Sequence, residues 1–321
     1  MKMLKQGAGP AGRTLLAAAA LVAAALVAGC GGGGGQIEPF APKRIMAFGD
    51  EASVITAEGK KYTINAVDAT TSALQCANNP IWIQSLASAF GLVFAECNPT
   101  NQTTPAGKIY AQPGATVAGL KAQLDTFFSS GGFNSKDLVA VMAGANDVLE
   151  LYRQYPQQGA DTLKAQARER GRELARQVNR IANADGRVIV ATLPDMGTTP
   201  FALTERANKP DTDRAKLLSE LTTEFNTQMR ITLIDDGRLI GLVLINEEVE
   251  RIVRFNTSYG FANVTEAACL ATALAPECTS KTLVTNANGD TWLWATSTLM
   301  SPAGQSRLGS LAVSRAVNNP F

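Results

Sequence analysis

Short apolar runs rich in β-branched residues alternate with amphipathic helical stretches along this chain. That alternation restricts it to a parallel sheet covered by helices on both faces. The candidate strands are Arg44–Phe48, Leu138–Met142, Arg187–Leu193 and Leu239–Ile245. Between them, Asp161–Ala184 sets Leu163, Ala167, Leu174, Val178 and Ile181 on one helical face, with Lys164, Arg168, Glu169, Arg172 and Arg176 on the solvated one. Asp211–Ile234 repeats the pattern with Leu217, Leu221, Phe225 and Met229, and Asp211 is the expected N-cap. Pro80–Phe90 is expected to form another helix. Ser53–Asn65, with Glu58-Gly59 at its turn, reads as a hairpin following the first strand. No internal repeat interrupts the series, so a single domain over residues 41–321 is expected.

The first residues read as a targeting segment. Lys2, Lys5 and Arg13 precede an apolar run from Leu15 to Val27, too short for a permanent membrane span. Val27-Ala28-Gly29-Cys30 resembles a bacterial lipobox, which implies a lipoprotein signal peptide over residues 1–29 and lipidation of Cys30. Residues 30–40, with glycine from 31 to 35, would form a tether to that anchor. No aspartate follows Cys30, and sorting to the outer membrane of the bacterial envelope is the expectation. Without Lys2, Lys5 and Arg13 the 29 basic residues fall to 26 against 28 acidic, about −2, and no basic stripe suggests a nucleic-acid partner.

Cys76, Cys97, Cys269 and Cys278 would lie in an oxidising compartment, where four cysteines allow three pairings. Local bridges, Cys76–Cys97 and Cys269–Cys278, fit best, because each closes a short loop-rich stretch. There is no CxxC spacing and no histidine anywhere in the chain, so neither a zinc site nor any other metal or cofactor is expected.

Four blocks stand in order along the chain: Phe48-Gly49-Asp50-Glu51, Tyr110-Ala111-Gln112-Pro113-Gly114-Ala115-Thr116, Val141-Met142-Ala143-Gly144-Ala145-Asn146-Asp147, and Trp292 to Gln305. Together they resemble the SGNH/GDSL hydrolases, and Thr192 to Pro200 resembles a further loop of that family. The resemblance implies a three-layer α/β/α sandwich with a flavodoxin-like parallel sheet. It gives Gly49, Asp50, Gly144 and Asp147 framework roles, and makes the Gly114 N–H and the Asn146 side chain oxyanion donors. It also places the serine nucleophile at Glu51, the aspartate at Thr296 and the histidine at Leu299, so all three triad positions are substituted.

Ester hydrolysis by that route needs a hydroxyl nucleophile and a group that takes and returns its proton, normally a histidine. Leu299 does neither, and Thr296 has no charge to orient an imidazolium. Ser53 is expected to point elsewhere, and the lysines closest in sequence to the blocks are Lys43 and Lys108. Asp50 is expected to brace its turn rather than to join Glu51 in paired-carboxylate chemistry. Glu51 is expected either to fill the vacated oxyanion site or to point to solvent. Trp292 and Trp294 would wall the cleft or pack an edge strand, and Leu299 and Met300 would fill the cleft in a purely structural protein. The expected function is that of a catalytically inactive member, acting by binding an acyl or acetyl-glycan ligand or an envelope protein. The alternative is an ester hydrolase with a non-standard catalytic group.

Overall fold

The computed structural model describes residues 39–321, which form one compact unit. The expected signal peptide, Cys30 and all but the end of the tether lie outside the described residues. Five parallel strands make the central sheet: β1 (Arg44–Gly49), β2 (Gly107–Ile109), β3 (Asp137–Met142), β4 (Arg187–Ala191) and β5 (Ile240–Val243). Their order is β2-β1-β3-β4-β5, the flavodoxin-like arrangement whose crossover direction reverses between β1 and β3.

The strands are continuous apolar runs because both sheet faces are covered. Met46, Phe48, Val139, Val141, Val188 and Val190 point to one side. There they pack on α2 (Val117–Ser130), α3 (Ala145–Tyr152), α4 (Ala160–Ala182) and α6 (Arg214–Thr232). Ile45, Ala47, Leu138, Ala140, Ile189 and Ala191 point to the other, against α1 (Trp82–Ser88), α7 (Ile245–Arg254) and α8 (Pro302–Asn318). A short α5 (Pro200–Asn208) follows β4. The strand pair β6 (Asn263–Ala267) and β7 (Trp292–Trp294) forms a second small sheet.

Several boundaries differ from expectation for local reasons. The N-cap of α6 is Asp213, which accepts from Lys216 N, while Asp211 is drawn to the Arg214 guanidinium at 2.5 Å. Residues 53–65 are not a strand hairpin: a single antiparallel bridge joins Ile55 to Lys61 around the 56–60 turn. β4 stops at Ala191 because the Asn226 amide takes over both backbone groups of Leu193 at 2.9 Å. β5 is shorter than expected because the Leu244 carbonyl already accepts from Glu248 N as α7 begins.

Trp292 and Trp294 are buried packing residues, and the Trp294 indole donates to Val264 O at 3.1 Å. Disulfides join Cys76 to Cys97 and Cys269 to Cys278. No helix among the described residues is long and apolar enough to cross a membrane.

Candidate active site at the carboxyl ends of the strands

The loops after β1, β2 and β3 converge where the sheet order reverses, the usual site position in open parallel sheets. Gly49 ends β1 with φ +126°, and its missing Cβ would lie 1.8 Å from Met142 O on β3. The buried Gln123 amide holds both backbone groups of Gly49, accepting from its N–H and donating to its carbonyl, each at 2.9 Å. Asp50, also buried, donates its backbone N–H to Met142 O, and its carboxylate caps the single turn Glu51–Ser53 through Ala52 N. The chain is thus fixed on both sides of the bend, and the Glu51 side chain turns toward the segments that follow β2 and β3.

Gly114 N–H donates to Glu51 Oε2 at 2.8 Å, and Asn146 Nδ2 donates to the same oxygen at 2.9 Å. Asn146 also donates to Ala115 O at 3.2 Å, which ties the loop after β3 to the loop after β2. Gly114 has φ +76° and open space where a side chain would stand, so its N–H is presented from an exposed turn. Gly144, the residue before α3, has φ +123°, and a Cβ there would meet the Phe225 ring at 2.3 Å. Asp147 accepts from Val117 N at 2.9 Å and from Arg170 at 3.2 Å, and so anchors α2 to α3 beneath the donors.

Burial and then the neighbouring Glu51 charge push the Asp50 carboxyl well above the usual carboxylate range. Burial raises Tyr62 as well, with the Glu51 charge adding to it. Burial raises Asp147 to about 6, against the opposing Val117 N–H and Arg170. An acid raised in the folded state gives stability that is complete below its unfolded pKa, about 3.9, and lost as pH rises through the folded one. Asp147→Asn keeps an acceptor for Val117 N. It is expected to remove about 2 kcal/mol of the stability lost between pH 4 and pH 7. Urea unfolding across that range checks it, and an unchanged pH slope would contradict it.

Thr296 and Leu299 lie in a tight turn. Ala295 N and Thr296 N both donate to Leu299 O, and Leu299 N returns to Thr296 Oγ1 at 3.2 Å. Thr296 is buried as the cap of this turn; Leu299 is half-buried and Met300 packs in the core. Thr63 Oγ1 donates to Met300 O and Phe201 N donates to Ser297 O, so the turn sits beside Tyr62 and the start of α5.

Ser53 is fully buried and accepts from the Trp82 indole at 3.2 Å, so its hydroxyl is engaged within the core. Lys43 precedes β1 at the opposite end of the sheet. Lys108 is an exposed residue of β2. Among the described residues no cluster of His, Cys, Asp and Glu is arranged to hold a metal ion. Gln123 and Arg170 were not anticipated. The available signal was Gln123 itself, a polar residue on the apolar face that Val117, Leu120, Leu124 and Phe127 define.

The family model for GDSL-like lipases and acylhydrolases matches residues 45–274. No curated protein matches the chain in sequence. Among solved structures it resembles a lipolytic protein of the G-D-S-L family from Veillonella parvula DSM 2008, at 10% identity and TM-score 0.42, over 84% of this chain and 96% of that one. It also resembles the acetylxylan esterase Axe2 from Geobacillus stearothermophilus, at 13% identity and TM-score 0.44, over 88% and 98% of the two chains. A third is LAE5, a hydrolase from the metagenome of Lake Arreo, Spain, at 16% identity and TM-score 0.42, over 86% and 95%.

Proposed function

The chain belongs to the GDSL-like lipase/acylhydrolase family, and from that premise we propose that it keeps the family's donor pair but has lost ester hydrolysis and acts by binding. The observation that carries this reading is the Glu51 carboxylate, whose Oε2 accepts from both Gly114 N and Asn146 Nδ2. Donors aimed at a developing oxyanion speed acyl transfer only when the reacting oxygen can occupy them. A resident carboxylate takes that place. It also sets a negative charge against the one that would develop, a repulsion of about 4 kcal/mol at 4 Å in a medium of effective dielectric 20. With no histidine in the chain and Ser53 turned into the core, neither proton shuttle nor hydroxyl nucleophile supports the family reaction.

The surface around Glu51 would then serve as a receptor for an acyl or acetyl-glycan ligand or for an envelope protein. Cys30, with its preceding apolar run, would anchor the chain by lipid at the outer membrane. The test is hydrolysis of p-nitrophenyl acetate and butyrate by the full chain purified in detergent, beside Glu51→Ala. The expected rate equals that of buffer for both proteins. A saturable rate lost in Glu51→Ala would instead make Glu51 part of an esterase mechanism, and one that survives there would put the nucleophile elsewhere.

A further inference from the structure

A concave site, lined by none of the residues that hold Glu51, lies between α8 and the loops that precede α1, β6 and β7. It is a cavity of about 400 Å³ bounded by Asn79, Pro80, Tyr259, Phe261, Asp290, Pro302, Ser306 and Arg307. Its two charged residues, Arg307 and Asp290, have no ionic partner among the described residues. The Arg307 guanidinium donates to Tyr259 O at 2.7 Å and stands 5.6 Å from the Tyr259 ring centroid and 6.0 Å from that of Phe261. No carboxylate among the described residues lies within ion-pair distance of it. This contrasts with α4, where Arg168, Arg170, Arg172, Arg176 and Arg180 all have acidic partners.

Asp290 also lines the cavity, on the turn between Asn288 and Trp292. Asn288 Oδ1 accepts from Asp290 N at 2.7 Å and Trp292 N donates to Asn288 O, so the backbone that carries Asp290 is tied down. A Cβ on Gly289 would stand 3.2 Å from Ile64 Cδ1 and 3.3 Å from Pro302 Cδ, so this turn packs closely. The Asp290 carboxylate itself is exposed and accepts no hydrogen bond from the described residues. Opposite charges that line one cavity without pairing to each other offer a ligand with complementary ends one contact at each. Aromatic and proline walls suit a flat or thin molecule lying between the charges.

We infer that this cavity is a binding site for a small molecule that presents a carboxylate to Arg307 and N–H or O–H donors to Asp290. A dipeptide zwitterion and a sugar acid share that chemistry. The site shares no lining residue with Glu51 and its donors, so it stands or falls independently of the function proposed there.

Isothermal titration of the full chain with dialanine and with glucuronate tests it, beside dialanine methyl ester, acetyl-dialanine and glucose. Saturable binding of either acid is expected, with no binding of the methyl ester or of glucose, which lack the carboxylate. Dialanine bound and acetyl-dialanine rejected would identify the donor as an ammonium; glucuronate alone would identify hydroxyls. Arg307→Met should weaken binding at least about tenfold, the effect of losing one charge-assisted contact. Asp290→Asn, on an exposed turn that folds without the charge, should weaken it by a similar factor. Absence of saturable binding by both acids would overturn the proposal, as would affinity unchanged in Asp290→Asn.

Discussion

Replacing Gly49 by alanine is expected to cost at least about 4 kcal/mol and to leave little soluble folded protein. Two independent penalties coincide at this position. The backbone has φ +126°, where an L side chain is strained. A Cβ would also sit 1.8 Å from Met142 O, a backbone atom of the neighbouring central strand that cannot turn aside as a side chain could. Relief would require β1 and β3 to separate at the point where Asp50 N bonds Met142 O and Gln123 grips Gly49. Urea unfolding of whatever folds, or the soluble yield where none does, provides the measurement. A loss below about 1 kcal/mol would contradict the packing described.

Lys61→Met is expected to lower stability by about 3 kcal/mol. The Lys61 side chain is fully buried, and its ammonium donates to Cys76 O at 2.9 Å, Asn78 O at 2.6 Å and Asn79 O at 2.8 Å. All three of its donors are used on backbone carbonyls, and no carboxylate takes part. Burial lowers its pKa to about 8, so at neutral pH it remains charged. The loop it gathers contains Cys76, bonded to Cys97, and Asn79 at φ +52°. Methionine keeps much of the volume but leaves those carbonyls without their shared donor. A shift of the urea midpoint at constant slope measures the effect, and an unchanged midpoint would mean that water replaces the ammonium at no cost.

The central sheet was legible because four of its five strands are unbroken apolar runs, and burial on both faces leaves no other home for such runs. β2 was not legible: Gly107-Lys108-Ile109 is three residues long and acquires strand character only by lying beside Ile45–Ala47. The Asp211 assignment failed for a related reason. Asp211 and Asp213 both suit an N-cap by residue type, and the choice follows from which of them the Arg214 side chain captures. At the site, Gly114, Asn146 and Glu51 could be picked out singly from their blocks, yet their meeting on one carboxylate oxygen depends on three loops from three strands. Lys61 gave no signal, since a lysine in a turn-rich segment reads as a surface residue until the loop that folds over it is known.

The Glu51 carboxylate itself satisfies the donors at the end of the sheet. A double-mutant cycle of Glu51→Ala and Asn146→Ala, read by urea unfolding at pH 7, measures that interaction directly. A coupling energy of about 1–2 kcal/mol is expected, the range of a charge-assisted hydrogen bond between partly buried groups. Strict additivity, within about 0.3 kcal/mol, would mean that Glu51 leaves the donors free for another occupant, and the binding role proposed here would lose its foundation.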